Sequence, residues 1–163
     1  MSRENVNVVL RTFRAFRERD EALFANYASD IEWDLRRYSP WTDQQLFRGH
    51  DGVRQFFRQW LADFDGYATE ASDPVDAGDR VVITVVDRAV GKRSGVPIER
   101  VHGQVWTFRQ GLVVRIEIFD GRAEASTPSD WRSRRPRAPD PEPHPSPNAT
   151  KRLDIVPLVK PPR

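Results

Sequence analysis

Asp87 and His102 are the two side chains of this sequence whose types and setting best suit acid–base chemistry. They fall on two segments expected to pair as strands, Arg80–Val90 and Val96–Arg109. An aspartate beside a histidine fixes the imidazole tautomer and raises its basicity, which makes a general base near neutral pH. Arg100, on the same strand as His102, offers a cation for an anionic substrate group or a developing oxyanion. Trp33 supplies a flat apolar surface. Such a set suits proton abstraction next to a carbonyl, cyclisation, dehydration or water attack on a small cyclic compound. The same residue types also make a buried, self-satisfied polar cluster that closes a fold without chemistry, because buried charges pair for that reason alone.

The elements that must position these groups read clearly. Val101–Asp120 is two alternating strands joined at Gln110-Gly111, a tight hairpin. Upstream, Val6, Val9, Leu10, Phe13 and Phe16 recur at helical spacing behind Ser2. Asp20 suits the cap of a second, short helix bearing Leu23, Phe24 and Tyr27. Asp30–Leu35 alternates as a strand with Ile31, Trp33 and Leu35 on one face, and Arg36–Arg48 reads as irregular. After Gly49-His50-Asp51-Gly52, the residues Val53, Phe56, Phe57, Trp60, Leu61 and Phe64 form an apolar helical stripe. Tyr67–Val75, Arg80–Val90, Val96–Arg109 and Leu112–Asp120 complete a meander, so helices segregate against an antiparallel sheet in an α+β fold. A strongly curved sheet with helices across its open side forms a cone that holds a small molecule.

Composition sets the outer bounds. Residues 1–125 carry 18 Lys/Arg and 20 Asp/Glu, a net of −2, and residues 126–163 carry 8 and 4, a net of +4. The basic balance therefore sits in the tail and not on a folded face, which argues against nucleic acid as a partner. The chain has no cysteine, so it has neither disulfides nor a thiolate metal site, and three scattered histidines do not suggest a metal centre. No apolar run is long enough to span a membrane, and Met1-Ser2-Arg3-Glu4-Asn5 lacks the apolar core of a signal peptide, so the cytoplasm is the expected location. No phosphate-binding glycine loop or dinucleotide fingerprint is present, and no cofactor is expected. The chain divides near Ala125 into a folded domain, residues 1–125, and a Pro/Arg-rich tail, residues 126–163, with ten of the thirteen prolines. The tail's composition predicts disorder, with a small aliphatic cluster at Leu153–Val159 that suits docking on the domain or on a partner.

In order and spacing, VVLRTFRAFRERD (8–20), DIEW (30–33), GHDGVRQFF (49–57), DAGDRVV (76–82), VWTFRQG (105–111) and IFDGRAEA (118–125) resemble the SnoaL-like branch of the nuclear transport factor 2-like superfamily. The resemblance covers about three quarters of the chain. It implies a cone-shaped α+β barrel, with a curved antiparallel sheet and three N-terminal helices, a homodimer and an apolar pocket. It also implies that Asp87, Arg100, His102, Gln104 and Ile118 face inward with Trp33 and Leu35, while Tyr38 and Trp41 cover the mouth. Asp120, at a strand end, either reaches the pocket or forms a surface turn with Gly121 and Arg122.

The superfamily includes ketosteroid isomerase, limonene epoxide hydrolase, polyketide cyclases and dehydratases, so fold does not fix the reaction. The aspartate–arginine–aspartate relay of the epoxide hydrolase keeps one aspartate at Asp87 but meets Val85 and Ile118 elsewhere. The tyrosine, aspartate base and acidic donor of the isomerase meet Thr12, Leu35 and Gln104. Both reactions are therefore disfavoured. SnoaL-type cyclases use an acidic base with histidine nearby, for which Asp87, His102 and Asp120 offer the residue types. His50 reads as a loop or capping residue, Trp60 and Trp106 as core, and His144 and Trp131 lie in the tail. Three functions follow: a cofactor-free isomerase, cyclase or lyase acting on a small apolar or cyclic molecule; a non-catalytic binder of such a molecule; or a dimerisation module whose tail recruits a partner.

Overall fold

The computed structural model describes residues 2–38 and 43–120. Trp41 and everything from Gly121 onward, including Trp131, His144 and the aliphatic cluster of the tail, lie outside the described residues. The element order is α1 (Ser2–Glu18), a 3-10 turn (Glu21–Asn26), β1 (Tyr27–Arg37), β2 (Leu46–Arg48), α2 (Gly49–Ala62), β3 (Phe64–Asp76), β4 (Arg80–Gly91), β5 (Pro97–Arg109) and β6 (Leu112–Asp120).

The helices end where local chemistry requires. Arg19 adopts the left-handed conformation (φ 54°), and the amides of Arg19 and Asp20 turn back to the carbonyls of Phe16 and Ala15, satisfying the last carbonyls of α1. Asp20 Oδ1 then accepts from the amide of Ala22 at 2.9 Å and caps the following turn. That turn is 3-10, so the described chain has two α-helices and one short 3-10 segment rather than three comparable helices. Six residues with i→i+3 bonds suffice to carry Leu23 and Phe24 into the core. α2 opens at Gly49, whose φ of 69° a side chain would strain and whose absent Cβ lets the Ser29 carbonyl approach.

The six strands form one curved mixed sheet in the order β2-β1-β6-β5-β4-β3. The expectation of a purely antiparallel sheet is corrected at one joint: β1 runs parallel to β6, pairing Trp33 with Ile116 and Asp34 with Glu117. A long connection carrying α2 and four further strands separates them, which is what parallel neighbours need. The segment read as irregular also contains β2, which pairs Phe47 with Trp33. Register shifts in β1–β6, β3–β4 and β5–β6 bend the sheet. The order has two free ends, β2 and β3, so its ladders describe an open sheet rather than a closed barrel.

Alternation along the strands sorts the two faces. Ile31, Trp33, Ile83, Val85, Trp106 and Ile116 pack under α1 and α2 in the main core, while Val82, Val105 and Phe119 form a small cluster on the other face. Beside that cluster, Arg115 ties the parallel joint together. It reaches Glu32 at 3.1 Å, Asp34 at 2.6 Å and Glu117 at 3.5 Å. Asp34, buried, also accepts from Arg36 Nη2 at 2.7 Å and from the Arg36 amide at 3.0 Å. Asp34→Ala leaves Arg115 among fewer partners at half-buried depth and is expected to cost about 2–3 kcal/mol, less than for a fully buried pair. Urea unfolding reads this directly; a cost below about 0.5 kcal/mol contradicts the role given to the network.

Candidate active site

Between the helices and the sheet lies a cavity of about 60 Å³, counted as room for the centre of a water-sized sphere. One water needs roughly 10–15 Å³ on that measure, so the space takes several waters or a small ring. Ten of its seventeen lining residues are Phe, Tyr or Trp. α1 supplies Phe13 and Phe16, α2 supplies Phe56, Phe57 and Trp60, and β1 supplies Tyr27 and Trp33. The rings brace one another: Trp33 lies 5.1 Å from Phe56 and 5.2 Å from Phe57 between centroids, and Phe13 lies 5.8 Å from Trp106. These helix aromatics were legible only as core. Their 3.6-residue spacing is the same whether the stripe meets a packed neighbour or a gap.

Against this apolar surface stands one polar line on β4 and β5. Register pairs Asp87 with Arg100 and Val85 with His102, so Asp87 and His102 are diagonal neighbours on the inner face. His102 Nδ1 lies 3.5 Å from Asp87 Oδ2. That is longer than a formed hydrogen bond, and both His102 Nδ1 and Asp87 Oδ1 lack a hydrogen-bond partner within the protein. On its other side His102 Nε2 lies 3.1 Å from Gln104 Nε2, and Gln104 Oε1 accepts from Trp106 Nε1 at 2.9 Å. All four side chains are buried.

The charge state of this line is fixed by environment. Burial holds the His102 pKa below its ordinary value; the Asp87 carboxylate pushes it up, Arg100 pushes it down again, and burial wins. The expected gain in histidine basicity is therefore corrected: beside its carboxylate, but out of water, the imidazole stays neutral. Above the unfolded-state pKa of about 6.5, both folded and unfolded chains carry a neutral imidazole at this position. Below it the unfolded chain takes up a proton that the folded chain resists. Stability is thus expected to fall as pH drops from about 6.5 toward the lower folded pKa, and His102→Gln should flatten that slope. Urea midpoints across that interval in both proteins check this; equal slopes contradict it.

Two phenols complete the polar end. Tyr38 is pushed up to about 12 by burial, against the pull of Arg100, and its hydroxyl makes no hydrogen bond within the protein. Its ring meets His102 edge-on at 5.3 Å. Tyr67 is also shifted up, by burial, by the Asp87 charge and by a hydrogen bond to that carboxylate, so both phenols stay protonated. The Trp33 indole N–H is buried without a hydrogen-bond partner as well.

Of the residues singled out from sequence, Asp87, His102, Trp33, Leu35, Tyr38, Gln104 and Ile118 line the cavity. Arg100 and Asp120 do not. Arg100 lies over the Tyr38 ring at 4.6 Å and faces Asp120 at 3.9 Å, with Asp120 mostly exposed, so the two sit at the rim. Alternation puts Arg100 on the face of His102, but at a position closer to the strand start, where the cavity has already ended. Thr12, Leu35 and Gln104 all line the cavity, whereas Val85 is packed away from it in the core. His50 serves structure: its Nε2 meets the Tyr27 carbonyl at 3.1 Å. Among the described residues no group of three or more His, Cys, Asp or Glu is arranged to hold a metal ion, and no helix is long and apolar enough to cross a membrane.

A curved six-stranded mixed sheet packed against N-terminal helices is the nuclear transport factor 2-like fold. The chain belongs to the SnoaL-like domain family, which matches residues 9–116. Among solved structures, it is similar to a nuclear transport factor 2-like protein of unknown function from Burkholderia pseudomallei, with 26% identity, a TM-score of 0.66, and 76% of this chain and 95% of that one covered. It is also similar to TerC, co-crystallized with polyporic acid (23% identity, TM-score 0.62, 74% and 94% covered). A candidate polyketide cyclase from Xanthomonas campestris shares the fold at 20% identity and a TM-score of 0.59, with 76% and 94% covered. No curated protein matches the sequence.

Proposed function

We propose that the domain, residues 1–125, binds a small, largely apolar cyclic molecule in this cavity and moves a proton on it without a cofactor. The reaction class is isomerisation, cyclisation or elimination. The observation that carries this reading is Asp87, the single carboxylate among the described lining residues, held at the wall of an aromatic cavity with one oxygen unpartnered and His102 beside the other.

Roles follow from the protonation states. His102 is neutral and its Nε2 is engaged by Gln104, so it is poorly placed to take a proton from a ligand. Asp87 Oδ1 is the available base. The His102 Nδ1–H faces the other carboxylate oxygen and orients the carboxylate for proton abstraction, while the negative charge passes from Asp87 to the ligand oxygen; such contacts are commonly long before substrate binds. Tyr38, a protonated phenol at the same end, donates to the oxygen on which charge develops. Trp33, Leu35, Gln104 and Ile118 shape the ring-binding walls. Arg100 and Asp120 act at the rim.

A panel of cyclic ketones in D₂O tests the reading. The protein is expected to accelerate exchange of the C–H next to the carbonyl for at least one bound compound. Binding without acceleration on any of them leaves a ligand-binding module and rejects the enzymatic reading. The same proposal expects a homodimer, which sedimentation would show as twice the chain mass. Removing residues 127–163 is expected to leave the fold and the ligand site intact; loss of a partner instead would favour a recruiting tail.

A further inference from the structure

Gln104 and Trp106 carry an inference beyond the proton transfer itself, though it rests on the reading that the cavity holds a ligand. An indole N–H donates and never accepts. The Gln104 atom facing Trp106 Nε1 at 2.9 Å is therefore its oxygen, and the amide NH₂ faces His102 at 3.1 Å. An NH₂ donor requires a lone pair opposite, so His102 Nε2 carries no proton. The imidazole proton is then on Nδ1, toward Asp87. Protonating Nε2 as well would set two donors against each other in a buried place, which costs a hydrogen bond in addition to the desolvation of the charge.

The consequence reaches the ligand. With His102 held neutral, Asp87 is the sole charged side chain among the described residues that line the cavity. The nearest guanidinium, Arg100, lies across the Tyr38 ring and faces Asp120. Asp87 Oδ1 is buried, acceptor-only and unpartnered. We infer that Gln104 and Trp106 are positioning residues that set the charge the cavity shows its ligand: by fixing His102 as the neutral Nδ1–H tautomer, they select a non-anionic ring compound that donates a hydrogen bond to Asp87 Oδ1. A carboxylate-bearing ring of the same size meets an unscreened negative charge instead.

The test needs no turnover. Long-range ¹H–¹⁵N correlation spectra of the labelled full chain, with His102 assigned by its absence in His102→Gln, report which ring nitrogen holds the proton. The expected result at pH 7 is the Nδ1–H tautomer in the wild type. In Gln104→Glu a carboxylate faces Nε2, and the signal should move to the Nε2–H tautomer or the imidazolium. In Trp106→Phe the amide is free to turn over, and a mixture of tautomers is expected; this variant keeps the question open to test if Gln104→Glu does not fold. Phenol, anisole and benzoate, titrated into the wild type, read the selectivity. Phenol is expected to bind at least about tenfold more tightly than anisole, which lacks the donor, and benzoate more weakly than either. An Nε2–H or charged His102 in the wild type, an unchanged Nδ1–H signal in both variants, or benzoate binding as tightly as phenol overturns the inference. A neutral Nδ1–H tautomer with phenol preference but no proton exchange on any bound ketone would reject the enzymatic reading alone.

Discussion

Asp87→Asn is expected to lower proton exchange on a bound cyclic ketone by about 10²–10⁴-fold, the usual contribution of a positioned general base. Affinity should fall by less than about tenfold, because the amide oxygen still accepts a hydrogen bond. The volume is conserved and the side chain is buried at a cavity wall, so packing is not disturbed. The substitution also removes a buried negative charge that has no cationic partner in the cavity, since His102 is neutral. Stability is therefore expected to hold or rise slightly. Rate loss with retained affinity and stability separates a base from a merely structural carboxylate. An exchange rate within about threefold of the wild type would remove Asp87 from the chemistry.

Trp106→Ala should produce the largest loss of stability. Trp106 is among the fully buried side chains, packs 5.8 Å from Phe13 and 6.2 Å from Tyr27 between ring centroids, and joins α1 to β5. Truncating a buried aromatic of this size costs about 3–5 kcal/mol. It also removes the donor to Gln104 Oε1, leaving a buried acceptor unpaired for about 1–3 kcal/mol, although the enlarged cavity admits water that repays part of this. Small domains have only about 5–15 kcal/mol in total. Urea unfolding should place Trp106→Ala near the edge of stability and Trp106→Phe at about 1–3 kcal/mol below the wild type. A loss under about 1.5 kcal/mol for the alanine variant would show that the indole is not the keystone described.

Much of this was legible in order and spacing. The hairpin at Gln110-Gly111, the stripe of α2 and the cap at Asp20 are local features, and each follows from residues within one or two turns. Alternation sorted each strand into two faces, and the family resemblance indicated which face turns inward, placing Asp87, His102, Gln104 and Ile118 on the side that lines the cavity. The parallel pairing of β1 with β6 was not legible, because its partners are some eighty residues apart and nothing local in Ile31–Leu35 marks a neighbour's direction. β2 has only three residues, too few for a periodic signal. The rim positions of Arg100 and Asp120 depend on where along a strand the cavity ends, which alternation does not encode. The neutral state of His102 depends on its depth and on a chain of donors ending at Trp106. Residues 102, 104 and 106 share one strand face, and that spacing is the sequence signal that could have revealed the relay.

Ligand mapping by NMR is the most direct measurement of the central claim, a cavity that accepts a small uncharged ring at Asp87. The Trp33 and Trp106 indole N–H signals and the His102 ring signals lie on its wall and report occupancy at once. Titration with small neutral cyclic compounds is predicted to shift these signals together with saturation, and to raise the melting temperature in step with occupancy. Compounds that leave all three residues unmoved, or that bind only through the exposed face of the sheet, would contradict the account.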